Sequence, residues 1–325
     1  MIEGKRFMKD RRHLPNGSKW RKPFDQNGKG VEQVYLPDFD YYAPDSLEAA
    51  SQLLMEHEDA MILSGGTDIL AKMKNGVIEP KVLVSLKNVV ANVPAMKTIA
   101  YVKGKGVVIG GACTHNELVF SEVLNEKYNS VSNAAQSVAA NQVRHAGTVA
   151  GNIVNAVPSA DLPPILIALH ATATLVSAKG ARTLPLEEVF TGPGRTVLER
   201  GEILTEVVIP DQAMTGSTYF KYALRKAGAL ATVGVAAALQ MDGKAIKAVR
   251  VAFGAVAPVP MRAPKVEAFL ACKEPTDENL DAAAAIAHDE CRPISDFRAS
   301  EEYRRDLVGI FTKRAVRKAA EEGHN

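Results

Sequence analysis

Two glycine-bearing turns hold the residues whose types and spacing could do chemistry. In Ile62-Leu63-Ser64-Gly65-Gly66-Thr67-Asp68-Ile69 an apolar run breaks into paired glycines and a hydroxyl residue before a helical pattern resumes. Bare backbone at a strand-to-helix turn lets successive N–H groups converge on an anion, and the Thr67 hydroxyl can donate to a phosphate oxygen. Asp68 would stand at the start of the next helix, where a carboxylate suits the helix dipole but repels a phosphate, so its side chain should point away. The second turn is Thr148-Val149-Ala150-Gly151-Asn152, preceded by Gly147 and followed nine residues later by Asp161. Asn152 offers both an amide donor and an acceptor. Spacing alone leaves each turn open as an anion cradle or an ordinary tight turn. Two of them, about eighty residues apart, suit a long ligand with a diphosphate centre better than a mononucleotide.

Other chemistries find less support. The Gly-Lys-Ser/Thr sequel of a nucleotide-triphosphate loop is missing, and Gly104, Gly106 and Gly110 lie between two strand patterns rather than between a strand and a helix. The seven histidines are scattered without i, i+4 pairing, and His145 beside Arg144 reads as a surface or turn residue. Cys113, Cys272 and Cys291 are odd in number, far apart and without C-x-x-C, so they read as free thiols in a reducing cytoplasm, with no disulfide, zinc or iron–sulfur framework. No G-x-S-x-G elbow or carboxylate couple stands out, so in an enzyme of this sequence a bound cofactor would carry the chemistry.

The elements that must position these turns follow from patterning. A chain of 325 residues, 46% apolar and 23% charged, has room for two domains. Its net charge of +2 gives no general attraction to nucleic acid or membrane. No apolar window is long enough to span a bilayer, and Arg11-Arg12 lacks the apolar run of an export signal. Residues 1–34, with nine Lys/Arg against four Asp/Glu, read as a basic, flexible or partner-bound arm. A Pro-Asp-Ser helix start with Glu48 precedes the helical positions Leu47, Ala50, Leu53 and Leu54, and the strand AMILSG leads into the first turn. KVLVSL reads as a buried strand, and KTIAYVKGKGVVIGGACT as a hairpin. Residues 115–140 read as helical. Ser159 is the expected cap of the next helix, with Asp161 and Pro163 in its first turn. After three further strands, PDQAMTGS marks a boundary near 211–217, giving domains at 35–212 and 213–325; the second opens with Ala-rich strands and ends in helices.

In order and spacing, ILSGGTDI, GTVAGN with Asp161, FTGPGRTVLERGEILTEVVIP, YFKYALRKAG, VRVAFGAVAPVPMRAPKVE and the terminal FRASEEYRRDLVGIFTKRAV resemble the FAD-binding medium subunit of the molybdenum hydroxylases, with the bacterial xanthine dehydrogenase subunit as the nearest likeness. The resemblance implies an α+β fold, a two-lobed FAD-binding domain of the vanillyl-alcohol-oxidase type followed by a CO-dehydrogenase-flavoprotein-like domain of antiparallel sheet and helices. It implies that residues 62–69 wrap the FAD diphosphate, that Thr148 to Asn152 form the second contact, and that Asp161, Leu204 and Lys221 also meet the cofactor. Val138 occupies a place usually held by a larger apolar residue. The implied partners are a small subunit with two [2Fe-2S] clusters and a large molybdopterin subunit, joined as a cytoplasmic dimer of heterotrimers. Electrons would pass from xanthine or another substrate to FAD and then to NAD or a different acceptor. CO, aldehyde, nicotinate or other N-heterocycle hydroxylases are alternatives, as is a docking subunit with weakened flavin chemistry. One departure bears on the acceptor: where relatives often carry an acid facing the flavin, this sequence has Ala227, Gly228 and Ala229.

Overall fold

The computed structural model describes residues 36–323; the basic arm expected at 1–34 lies outside the described residues. The first lobe is a parallel sheet in the order β1-β3-β2, formed by β1 (Asp40–Tyr42), β2 (Ala60–Leu63) and β3 (Val82–Ser85). β3 is buried along its whole length. Ser46 caps α1 (Leu47–Glu56) with its side chain, as the Pro-Asp-Ser signal predicts, and α1 buries Ala50 and Leu54. The first turn joins β2 to the short α2 (Ile69–Lys74), and α3 (Lys87–Asn92) leads out of the lobe.

The second lobe is an antiparallel sheet in the order β4-β5-β10-β6-β7. Its hairpin, β4 (Ile99–Val102) and β5 (Gly106–Gly110), is the predicted one. A Cβ on Gly106 would lie 2.0 Å from the Ile209 carbonyl oxygen and one on Gly110 2.3 Å from the Met96 carbonyl carbon, so these glycines permit close packing. The helical stretch expected at 115–140 is three helices: α4 (His115–Val119), α5 (Glu122–Lys127) and α6 (Asn129–Ser137). A Thr114–Glu117 capping box starts the first and Ser121 caps the second. The third starts after Tyr128 leaves helical geometry at φ −145°, ψ 62°. After α7 (Asn141–Ala146) the second turn begins at Thr148, which caps α8 (Val149–Val154) with its side chain, so residues 149–152 form the first turn of that helix. Next come α9 (Leu162–Ala168), β6 (Thr172–Ser177), β7 (Gly180–Pro185), the ribbon β8 (Phe190–Gly192) and β9 (Arg195–Thr196), and β10 (Ile203–Ile209). Position 161 is itself the N-cap residue of α9, and no side-chain cap bond forms there; Ser159 does not cap it.

The third sheet runs β11-β12-β13-β14: β11 (Gly216–Tyr222), β12 (Val233–Asp242), β13 (Ala245–Gly254) and β14 (Met261–Arg262). Helices α10 (Pro264–Leu270), α11 (Asp277–Glu290) and α12 (Glu301–Gly323) complete it. β12 is buried on both faces. Val233, Val235, Ala237 and Leu239 join the core shared with α10–α12, while Ala236 and Ala238 join the core of the second lobe. The Ala-rich composition follows, because α9 packs directly on the inner face of β12 and β13, where only small residues leave room. Gly254 shows the closeness, since a Cβ there would sit 2.8 Å from Pro164 Cγ.

Candidate functional site

The two glycine turns touch. A Cβ on Gly65 would lie 1.9 Å from the Ala146 carbonyl oxygen and 3.2 Å from Gly147 Cα, so Gly65 is bare because another stretch of backbone crosses it. Gly66 takes φ +76°, the left-handed region that favours glycine. Ser64 Oγ and Thr148 Oγ1 hydrogen-bond at 3.1 Å, and Lys72 Nζ donates to Asn155 Oδ1 at 2.6 Å. The His115 backbone N–H donates to the Gly147 carbonyl at 3.0 Å. Residues far apart in sequence are thereby locked into one wall.

That wall borders a cavity of about 600 Å³ between the first two lobes, closed on one side by Gly228, Ala229 and Leu230. Ile62, Ser64 to Ile69, Val138, Thr148, Ala150, Gly151, Asn152, Asp161 and Leu204 all line it. Leu63, Val149 and Lys221 are not among the lining residues. Leu63 sits over Gly66, and Val149 is fully buried in the central core.

The turns offer different chemistry. Among the described residues, the N–H groups of Gly65, Gly66, Thr67 and Asp68 donate to no backbone carbonyl, which leaves four consecutive donors at the first turn. At the second, Val149 and Ala150 donate to the Cys113 and Gly111 carbonyls, Asn152 to the Thr148 carbonyl, and Gly151 to Thr148 Oγ1. Four of its five N–H groups are thereby satisfied, so beyond the Thr148 N–H it contributes side chains and shape. Asn152 Oδ1 is buried with no partner, a cost in an empty protein that a ligand hydroxyl or N–H would remove. Asp68 is exposed and makes no cap bond.

Asp161 is 4% exposed and held from behind. Tyr219 donates its hydroxyl proton to Asp161 Oδ1 at 2.8 Å, and Lys221 Nζ donates to Oδ2 at 2.8 Å and to the Ser137 carbonyl at 2.9 Å. Burial raises the Asp161 carboxyl above the usual carboxylate range, against the charge and hydrogen bond of Lys221 and the hydrogen bond of Tyr219. Lys221 therefore acts on the cavity through Asp161. Gly234 makes room for the phenol, since a Cβ there would lie 2.8 Å from Tyr219 Oη. Sequence reasoning missed Tyr219, although its i, i+2 relation to Lys221 puts both on one face of β11. It also missed His115, which lines the cavity while 3% exposed. The Cys113 thiol is pushed up to about 12 by burial, which leaves it an inert core group.

Residues 37–212 match the FAD binding domain in molybdopterin dehydrogenase, and residues 218–319 match the CO dehydrogenase flavoprotein C-terminal domain. The chain belongs to the FAD-binding subunits of the molybdenum hydroxylases. As such a subunit it is 33% identical over 285 residues to the carbon monoxide dehydrogenase medium chain of Hydrogenophaga pseudoflava, covering 87% of this chain and 97% of that one. It is 30% identical over 290 residues to the glyceraldehyde dehydrogenase medium chain of Sulfolobus acidocaldarius, covering 88% and 100%. It is 30% identical over 281 residues to the xanthine dehydrogenase FAD-binding subunit of Escherichia coli O157:H7, covering 86% and 95%. The solved carbon monoxide dehydrogenase from Hydrogenophaga pseudoflava that lacks the Mo-pyranopterin moiety superimposes with a TM-score of 0.84 at 33% identity, over 89% of this chain and 99% of that chain. The subunit's fold is thus the two-lobed FAD-binding domain followed by the flavoprotein C-terminal domain. Among the described residues no helix is long and apolar enough to cross a membrane.

Proposed function

We propose that the cavity holds FAD with the two glycine turns around its diphosphate, and that the chain is the electron-transfer subunit of a molybdopterin-dependent hydroxylase. On this reading it receives electrons from the [2Fe-2S] clusters of a small partner subunit and passes them to NAD or another acceptor, beside a large molybdopterin subunit in a cytoplasmic dimer of heterotrimers. Residues 35–212 form the FAD-binding domain and 213–325 the C-terminal domain. The carrying observation is the junction of the turns: four open backbone donors and the unpaired Asn152 Oδ1 lie on the wall of one cavity of about 600 Å³, within the usual size of cofactor sites. The donors suit phosphate oxygens, and Asn152 Oδ1 suits a cofactor hydroxyl or N–H.

Bound FAD supplies the redox chemistry, exchanging electrons singly with a cluster and in pairs with a two-electron acceptor. The protein's part is to hold and orient it. Residues 65–68 present fixed donors, Thr148 braces the first turn through Ser64, Asp161 stands at the wall with its two donors behind it, and the 228–230 segment closes one side.

The test is the colour of the purified full-length chain, with Thr67→Asp as the discriminating variant. Thr67 has no crossing backbone to disturb, unlike Gly65, and an added carboxylate among the open donors should abolish flavin absorbance while leaving the folded far-ultraviolet signature. A wild-type chain that stays colourless with FAD and its partners present sinks the reading.

Identities of 30% to 33% to carbon monoxide, glyceraldehyde and xanthine dehydrogenase subunits single out no substrate. Dye reduction by the assembled complex with purines, aldehydes, CO and N-heterocycles identifies it. The docking-subunit reading draws on the missing acid at Ala227 to Ala229, of which Gly228 and Ala229 line the cavity, and on Val138, which lines it too. If Ala229→Asp raises NAD reduction by the complex, that missing charge is what limits NAD as acceptor.

A further inference from the structure

His115 is the first residue of α4, and its place is fixed from both sides. Its backbone N–H holds the Gly147 carbonyl at 3.0 Å, and its ring lies against Gly147, where a Cβ would meet Cδ2 at 3.1 Å and Nε2 at 3.3 Å. Gly147 adjoins Ala146, the residue that Gly65 crosses, so the imidazole stands at the junction of the two turns. The residue is 3% exposed and lines the cavity.

Its two nitrogens differ. Nδ1 is fully enclosed and without a hydrogen-bond partner. Nε2 has no partner among the described residues either and is not among the fully enclosed unpartnered atoms, and the residue it belongs to lines the cavity. An orphaned buried N–H is rarer in proteins than an under-used acceptor, which favours the tautomer with the proton on Nε2, facing the cavity. Burial first and Arg144 second lower the ring's pKa from 6.5 to about 4, so the ring is neutral at physiological pH.

We propose that His115 is a further cofactor contact: a neutral imidazole whose Nε2–H donates to a phosphate oxygen of the dinucleotide where the glycine turns meet. This rests on the FAD reading of the cavity. The contact would add a side-chain donor to the backbone donors of residues 65–68 without adding a titrating charge.

Flavin-fluorescence titration of the full-length chain with FAD and with riboflavin, which has no phosphate, tests it on the wild type, His115→Leu and His115→Gln. Leucine removes the donor and should weaken FAD binding about tenfold or more, the usual worth of one hydrogen bond to a charged acceptor. Glutamine keeps an N–H donor and should stay within about threefold of wild type, a rescue that space-filling alone would not produce. Neither change should weaken riboflavin, and wild-type FAD affinity should be flat between pH 7.5 and 5.5. Equal losses in the two variants, an equal loss for riboflavin, or affinity rising steeply below the ordinary histidine pKa would each overturn the assignment. If leucine prevents folding, His115→Met serves as the donor-free variant with the same expected loss. A wild-type chain that binds no FAD removes the site reading and this inference together, whereas normal wild-type binding with indifferent variants removes the inference alone.

Discussion

Asp161 shows how much of the site hangs on single polar atoms. Lys221→Met strands a buried carboxylate, a loss of about 3 kcal/mol when one partner of a buried pair is removed. Because burial already raises the Asp161 carboxyl, protonation offers relief, so urea unfolding should show that loss at pH 7 and a smaller one at pH 5. Tyr219→Phe removes one donor and keeps the ring, and should cost about 1–3 kcal/mol in the same assay. The glycines separate in the same manner. Gly104→Ala meets nothing within 4 Å and pays only for φ +80°, roughly 1–2 kcal/mol. Gly65→Ala drives a Cβ into the Ala146 carbonyl, and thermal melts should place it far below Gly104→Ala. His115 adds an acid-sensitive contribution. Its pKa falls from 6.5 unfolded to about 4 folded, so the unfolded chain takes the proton first and stability falls as pH drops through that window. The loss reaches about 2 kcal/mol by pH 5, and His115→Gln should remove it from a denaturant series run between pH 7 and 5.

Among the elements, β12 is tightly constrained, because its alternate residues belong to two different cores. Ala236→Leu adds volume where α9 lies against the sheet and should destabilise by about 1–3 kcal/mol, read as a lowered urea midpoint with an unchanged slope. Local signals made much of this level legible. Ser46 caps α1 and the hairpin forms where alternation and glycines placed it. Local reading failed where a distant partner decided the outcome. Asp161 spends both carboxylate oxygens on residues 58 and 60 positions away, and no window around 159–163 contains that fact. The predicted helix at 115–140 divides because Tyr128 leaves helical geometry, while the apolar pattern runs on across it. Within the site, the turns could be read from composition. Their contact through Gly65 and the inward ring of His115 needed the fold.

At the scale of the molecule, two cores meet around the cavity, those of the first and second lobes, and the central core already contains Tyr219, Ala236, Ala238 and Ala252 from beyond residue 212. A fragment ending at 212 would lay bare the face of α9 that these residues cover. It should bind a hydrophobic dye, tend to aggregate and retain no flavin, all measurable beside the full chain. The Asp161 clamp carries the same dependence into biosynthesis. Its donors lie on β11, made after every other predicted contact of the cavity, so a nascent chain cannot complete the pocket until that strand has left the ribosome. Chains terminated before β11 lack the clamp and should stay colourless, so flavin absorbance should tell them from finished subunits.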